Sequence, residues 1–222
     1  MAKVAEGYMP FGEFRTYWRV VGKRTEKLPL LVLHGGPGAA HDYLTSLDDL
    51  AKAGRQVAYY DQCGCGRSAS PHNPGRWPPE FFVKELQTLH DYLRLERFHI
   101  LGHSWGGMLA VYFARSRPKD LAGLVLAGPP VSMAHLKGVD LAPLLPQIDV
   151  PTLITAGRFD QFSPPQALQT LLEGIAGSRS IILEKSGHLA HVEERKDFNK
   201  AVEDFLAEIE TERASIISTN PC

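Results

Sequence analysis

Residues 98–107 read FHILGHSWGG, and this stretch decides the fold. Its first four residues form a short apolar run, which is typical of a strand buried on both faces of a sheet. The run leads into the pattern Gly102-x-Ser104-x-Gly106, and a helical apolar pattern begins at Met108. A strand, a tight turn carrying a serine and a helix, in this order, are typical of a nucleophile held above the end of a strand. We expect a side chain in place of either glycine to crowd that turn.

Strands and helices alternate along the rest of the chain. Apolar or β-branched runs predict further strands at residues 12–21 (a strand or hairpin), 28–33, 56–60, 121–127, 150–155 and 180–183. Helices are expected between them, including one capped by Asp42, one capped by Ser163 and a last one with Phe198 and Ile209 on its apolar face. This alternation predicts a mostly parallel central sheet flanked by helices. In such sheets ligands bind beyond the carboxyl ends of the strands, so the site is expected there.

Length and composition are those of an ordinary globular protein. The 222 residues, of which 44% are hydrophobic, predict a single domain spanning residues 1–222. Lysine and arginine number 24 and aspartate and glutamate 25, so no basic excess favours a nucleic acid or a membrane as partner. No apolar run is long enough to span a bilayer. Three cysteines are too few for a disulfide framework, so we expect a reducing, cytoplasmic location.

A serine hydroxyl needs a base and an orienting carboxylate before it can act as a nucleophile. In this type of fold the chain order is serine, acid, histidine. Asp160 and His188 each follow the end of a predicted strand beyond Ser104, so we predict a catalytic triad of these three residues. His191 is the alternative base, since it lies in the same loop. Asp149 is a weaker alternative acid, because it precedes a strand and so belongs at the opposite edge of the sheet.

Backbone N–H groups are expected to hold the oxyanion that forms during acyl transfer. Trp105 follows the serine, and its backbone N–H is one candidate donor. The loop HGGPG at residues 34–38 follows another predicted strand and supplies the second. Pro37 has no N–H, so the donor is Gly35 or Gly36, and we prefer Gly36.

Neither a metal nor an organic cofactor is expected. Cys63 and Cys65 flank a single glycine, and no second cysteine pair or histidine stands at the spacing of a zinc site. Both thiols are predicted to be small residues of a turn.

Three motifs resemble those of the prolyl aminopeptidase (proline iminopeptidase) group of α/β-hydrolases. They are HGGPG at 34–38, DQCGCGRS at 61–68 and GHSWGG at 102–107. The resemblance implies the α/β-hydrolase fold and a small ester or amide as substrate. It also places the family's nucleophile, acid and base on Ser104, Asp160 and His188, and its oxyanion loop on Gly35 and Gly36.

The chain departs from that family at residues 129–149. Family members insert a helical cap domain at this point, and the cap carries the carboxylates that hold the free amino group of the substrate. Here the connection is short, and Leu141 to Ile148 are predicted to form a helix within it. We therefore expect a lidless α/β-hydrolase with an open site, acting as a carboxylesterase on small or activated esters.

Two other functions remain open. The first is release of N-terminal proline, for which Glu13, Asp140 or Glu193 would have to bind the substrate amine. The second is a catalytically inactive binding module on the same scaffold, which the intact serine, acid and base argue against.

A missing cap is expected to leave apolar side chains exposed around the site. The candidates are Trp105, Phe159, Phe162, Val131 and Met133. We expect Trp105, Phe159, Phe162 and Val131 to contact the substrate. The alternative is that these side chains pack internally, and for Trp105 the two alternatives stand equal. The same surface could instead join two chains in a homodimer, each covering the other's site.

Overall fold

The computed structural model describes residues 2–68, 77–133 and 139–219. Eight of its strands form one sheet in the order β1-β2-β4-β3-β5-β6-β7-β8. They are β1 Val4–Phe11, β2 Phe14–Val21, β3 Leu30–Leu33, β4 Val57–Tyr60, β5 Phe98–His103, β6 Leu121–Ala127, β7 Thr152–Gly157 and β8 Arg179–Leu183. Strands β3 to β8 all run parallel to one another, whereas β2 is antiparallel to both β1 and β4.

Helices cover both faces of the sheet. They are α1 Asp48–Lys52, α2 Pro79–Leu93, α3 Trp105–Ala114, α4 Pro165–Gly174, α5 Ala190–Glu193 and α6 Arg195–Thr219. Short 3₁₀ turns lie at His41–Leu47, Gly66–Ser68 and Leu145–Gln147. Within these described ranges, no helix combines the length and the apolar character that crossing a bilayer requires.

Strand β3 shows how the apolar runs build two cores. All four of its residues are buried. Side chains alternate between the faces of a strand, so Leu31 and Leu33 pack in the core with α2 and α3, and Leu30 and Val32 pack in the core with α1 and α6. A run without polar residues is therefore required, because neither face of this strand meets water. The predicted parallel sheet is confirmed.

The predicted strands are confirmed with small shifts at their ends, but β1 was not predicted. Most of its residues are exposed, and it contains Gly7 and Pro10, which weaken a strand pattern. It forms a hairpin with β2 around the turn at Gly12, whose φ is +57°.

Three local predictions are wrong. The segment at Asp42 begins as a 3₁₀ turn capped by Ala40, so Asp42 lies inside the turn and not at its cap. The residue at the N-cap of helix α4 is Pro164, and the hydroxyl of Ser163 does not cap the helix because it donates to the carbonyl of Pro129 at 2.8 Å.

The third wrong prediction is the helix over residues 141–148. Only the 3₁₀ turn Leu145–Gln147 forms there. Pro143 and Pro146 lack the N–H groups that a longer helix would use.

The connection between β6 and β7 is short. It spans residues 128–151, in which Ser132 and Asp140 form an isolated antiparallel bridge. The N–H of Leu141 donates to the carbonyl of Val131 at 2.8 Å, next to that bridge. The described part of this connection therefore folds back on itself beside the carboxyl ends of the strands.

Candidate active site

Ser104 sits on a strained turn between β5 and α3. Its φ is +54° and its ψ is −121°, a conformation that side chains other than glycine rarely adopt. A methyl group at Gly102 would overlap the backbone of Gly106, and one at Gly106 would overlap the carbonyl of Leu33. The predicted crowding at both glycines is confirmed. The turn is tight because β5, α3 and β3 approach one another with no room for a side chain.

Asp160 and His188 form a hydrogen-bonded pair beyond the ends of β7 and β8. Asp160 Oδ2 lies 2.8 Å from His188 Nδ1, and the carboxylate also accepts the backbone N–H groups of Phe162 at 2.8 Å and Ser163 at 3.0 Å. Burial alone would raise the pKa of Asp160, but the hydrogen bonds from His188 and from the backbone outweigh it and lower the pKa below its ordinary value. Asp160 is therefore a carboxylate at neutral pH.

A cleft of about 470 Å³ opens over the serine. It is lined by Gly36, Ser104, Pro130, Ser132, Met133, Phe162 and His188. The Phe162 ring lies 4.9 Å from the His188 ring and is 73% exposed, so it forms one side of the entrance. Among the described residues that line the cleft there is no aspartate or glutamate, and its walls are largely apolar.

The loop at Gly35 and Gly36 faces the same cleft. The N–H of Gly35 donates to the hydroxyl of Tyr43 at 2.7 Å, so this donor is already engaged. Gly36 lines the cleft and has a φ of +122°, which favours glycine. Of the two predicted second donors, Gly36 is therefore the one whose N–H remains for a ligand.

Comparison with known proteins gives a match to a family of the same fold. The model of the alpha/beta hydrolase fold matches residues 29–138, which contain the loop at Gly36 and the turn at Ser104. This chain has the α/β-hydrolase fold.

Two sequence relatives of this chain are named proline iminopeptidases. This chain is 46% identical to a proline iminopeptidase of Lacticaseibacillus rhamnosus over 133 aligned residues. The alignment covers 59% of this chain and 45% of that protein. This chain is also 48% identical to a proline iminopeptidase of Levilactobacillus brevis over 136 aligned residues. That alignment covers 60% of this chain and 45% of that protein. The chain thus spans under half the length of the curated relatives it matches.

Solved structures agree on the fold. The crystal structure of VinJ aligns with a TM-score of 0.86 at 26% identity, over 92% of this chain and 99% of that one. The crystal structure of a proline iminopeptidase of Mycobacterium smegmatis aligns with a TM-score of 0.86 at 24% identity, over 94% of this chain and 100% of that one. Because the sequence identity to the Mycobacterium smegmatis protein is only 24%, this structural similarity shows the fold alone.

The indole of Trp105 does not line the site of this α/β-hydrolase. It is 1% exposed, its N–H donates to the side-chain oxygen of Gln62 at 2.9 Å, and it packs edge-on against Phe82. Of the two alternatives for this side chain, exposure to the substrate is wrong and internal packing is correct, because the first turn of α3 directs it into the core. Only its backbone N–H remains as a candidate at the site.

The other predicted apolar residues divide into two groups. Phe162 and Met133 line the cleft. Phe159 is 68% exposed but does not line it, and Val131 is half-buried against the core that includes α3. Phe159 and Phe162 are therefore exposed as predicted, whereas Val131 and Met133 are half-buried.

Neither alternative triad member lines the cleft that Ser104 and His188 line. His191 is 1% exposed, and burial lowers the pKa of its imidazole to about 4. Asp149 precedes β7 at the far edge of the sheet, where it pairs with Arg117 at 3.4 Å.

Two residues support the Asp160–His188 pair in roles that the sequence analysis did not predict. Gly128 has a φ of +55°, and a methyl group there would lie 2.9 Å from Asp160 Oδ2. Glu193 accepts the backbone N–H groups of Gly187 and Leu189, on either side of His188. The glycine was visible in the sequence at the end of a predicted strand, whereas the role of Glu193 depends on how the loop returns upon itself.

The two cysteines of the second motif are buried free thiols. Burial raises the pKa of Cys63 to about 12 and that of Cys65 to about 11, so both stay protonated. In the part of the chain that the structure describes, no group of three or more histidine, cysteine, aspartate or glutamate side chains could hold a metal ion.

Proposed function

We propose that this α/β-hydrolase acts by acyl-serine catalysis. The observation that supports this most strongly is the strained turn at Ser104, which opens into the same cleft as the Asp160–His188 pair. A serine, a histidine and a buried carboxylate in this chain order are the groups that such a reaction uses.

Each group has one task in the proposed reaction. Ser104 Oγ attacks the carbonyl carbon of the substrate while His188 Nε2 takes its proton. Asp160 accepts the hydrogen bond from His188 Nδ1 and so fixes the tautomer that leaves Nε2 free. The backbone N–H groups of Gly36 and Trp105 hold the oxyanion. His188 then protonates the leaving group, and a water molecule releases the acyl group by the same steps in reverse.

The cleft favours a small, uncharged ester as the substrate. Its described walls are apolar at Pro130, Met133 and Phe162 and offer no carboxylate to a substrate amine. Binding energy from remote parts of a substrate helps to position the reacting bond, and an open cleft supplies little of it. Activated esters need less of this help than amides do. We therefore propose carboxylesterase activity on small or activated esters.

Release of N-terminal proline is the second candidate, and the names of the sequence relatives favour it. It requires a group that binds the substrate amine. Glu193 holds backbone N–H groups, Asp140 accepts the N–H of Ala142 at 3.0 Å, and Glu13 is exposed at the turn between β1 and β2. None of the three lines the cleft.

A paired assay separates the two activities. Hydrolysis of p-nitrophenyl acetate is compared with that of proline p-nitroanilide, with Ser104→Ala as the control. We expect faster ester hydrolysis, abolished by the substitution. Faster turnover of the proline amide would instead establish the second candidate.

The same material tests the binding-module alternative. A fluorophosphonate probe forms a covalent bond with an activated serine, and we expect it to label the wild type but not Ser104→Ala. An unlabelled, inactive wild-type protein would overturn the proposed catalysis and favour the binding-module alternative.

Two earlier expectations stay predictions. A cytoplasmic location rests on cysteine usage alone. A homodimer would bury the exposed rings of Phe159 and Phe162, and the molecular mass in solution tests it.

A further inference from the structure

Tyr43 and His103 form a hydrogen-bonded chain behind the cleft. The N–H of Gly35 donates to Tyr43 Oη at 2.7 Å. Tyr43 Oη lies 2.8 Å from His103 Nδ1, and His103 Nε2 lies 2.8 Å from the backbone carbonyl oxygen of His188. The chain therefore runs without a break from the glycine loop to the backbone of the proposed base.

The direction of each hydrogen bond is fixed by chemistry. A carbonyl oxygen only accepts, so His103 Nε2 carries the proton shared with His188. Nδ1 of a neutral imidazole is then an acceptor, and the Tyr43 hydroxyl donates to it while accepting from Gly35. A proton on Nδ1 would leave that hydroxyl without an acceptor. Only one arrangement of protons satisfies all three contacts.

The surroundings keep this arrangement in place. His103 is 3% exposed, and burial lowers the pKa of its imidazole to about 3, with a smaller contribution from His191. The ring stays neutral above that pH. The His103 ring lies 4.7 Å from the His188 ring and 4.9 Å from that of His191. Neither Tyr43 nor His103 lines the cleft, so neither contacts a substrate there.

This chain of hydrogen bonds connects three segments whose relative positions matter for the proposed reaction. Gly35 precedes the proposed oxyanion donor Gly36, and His103 precedes Ser104. The far end holds the backbone of His188. Small displacements of reacting groups cost large factors in rate, so a link between these loops has a direct catalytic consequence.

We propose that Tyr43 and His103 are positioning residues, which set the base loop relative to the nucleophile and the oxyanion loop. This inference rests on the proposed acyl-serine function. It assigns to the histidine before the nucleophile a task separate from the triad, namely to hold the main chain of His188 from behind.

Tyr43→Phe tests the chain with the loss of one hydroxyl. We expect kcat for p-nitrophenyl acetate to fall by about tenfold to a hundredfold while KM changes by less than about twofold. The matched control is Tyr59→Phe, since Tyr59 is also buried and its hydroxyl donates to Asp48 at 2.8 Å, away from the cleft. An unchanged kcat in Tyr43→Phe, or an equal loss in Tyr59→Phe, would overturn the inference.

A pair of substitutions at His103 tests the second link. Glutamine keeps both a donor and an acceptor, whereas leucine keeps neither. We expect His103→Gln to retain about tenfold more kcat than His103→Leu. Equal activity of the two variants, with both folded, would contradict a role for the hydrogen bonds.

Two further measurements keep the outcome clear. If Ser104→Ala remained active, the proposed function itself would fail. If Ser104→Ala were inactive and Tyr43→Phe fully active, only the positioning role would fail.

Nitrogen NMR of the wild-type protein reads the tautomer of His103 directly and needs no variant to fold. We expect a neutral His103 with its proton on Nε2, and a proton on Nδ1 would refute the chain.

Discussion

Glu193 accepts the backbone N–H of Gly187 at 2.8 Å, and its second oxygen accepts that of Leu189 at 3.2 Å. One carboxylate thus accepts hydrogen bonds from the main chain on both sides of His188. We expect Glu193→Ala to lower kcat for p-nitrophenyl acetate by about tenfold, because the loop loses both acceptors and the imidazole is less well placed.

The control for this variant is Glu184→Ala. Glu184 is also exposed, and its partner is Arg158 at 2.5 Å. We expect it to leave ester hydrolysis unchanged. If Glu193 bound the amine of a substrate instead, its substitution would raise KM for proline p-nitroanilide and spare the ester reaction.

Asp160→Asn is expected to remove most of the activity without unfolding the protein. An amide in place of the carboxylate favours the wrong tautomer of His188, and the expected loss in kcat is about 10⁴-fold. Esterase assays and thermal unfolding measured on the same sample separate the two effects. A loss of less than tenfold in a folded variant would mean that Asp160 does not orient the base.

Gly106→Ala tests the crowding at the turn. A methyl group there would overlap the carbonyl of Leu33, and we expect the free energy of unfolding to drop by about 3 kcal/mol. Gly187→Ala is the matched control, because a methyl group at that position meets nothing closer than 3.7 Å. Chemical denaturation of both variants gives the comparison. Similar stabilities for the two variants would show that the turn has room to relax.

Glu85 makes stability depend on pH near neutrality. It is fully buried between the Thr16 hydroxyl and the N–H of Cys63, and burial raises the pKa of its carboxyl from 4.5 to about 7 against the opposing effect of those hydrogen bonds. Between these two values the folded state binds more protons than the unfolded state. The free energy of unfolding therefore falls as pH rises from about 4.5 to about 7.

Glu85→Gln removes this titration. The amide keeps an oxygen that can accept the N–H of Cys63, so we expect the variant to be more stable than the wild type at pH 8 and to lose the decline between pH 4.5 and 7. Denaturation across that range checks it. An identical decline in the variant would assign the pH dependence to other groups.

The sequence predicted those parts of the fold and of the candidate site that depend on local sequence pattern and on the order of elements along the chain. Ser104, Asp160 and His188 could be predicted to lie close together because each follows a strand in a fold with a fixed order of elements, and in the structure Ser104 and His188 line one cleft while Asp160 contacts His188. Trp105 was misplaced because neighbours in sequence do not reveal which side of a helix faces the core. The contact from Tyr43 to His103 joins side chains 60 residues apart and depends on tertiary packing.

Arg55 forms ion pairs with two glutamates of α6. Arg55 is fully buried, with its Nη1 2.7 Å from Glu210 and its Nε 2.8 Å from Glu203. Removing the arginine leaves carboxylates facing a desolvated site, which typically costs about 3–5 kcal/mol. We expect Arg55→Met to reduce the free energy of unfolding by that order, while the kcat of the folded protein remains unchanged because the pair lies away from the cleft.

Acid should weaken this ion pair in a defined range. Burial would raise the pKa of Glu210, but hydrogen bonds from His99 and Arg55 outweigh it and lower the pKa from 4.5 to about 2. The stability that Glu210 contributes is therefore complete above about pH 4.5 and is lost as the pH falls toward 2. Glu210→Gln should flatten the stability profile over this interval, as measured by urea denaturation at each pH. A variant profile as steep as that of the wild type would place the acid-sensitive group elsewhere.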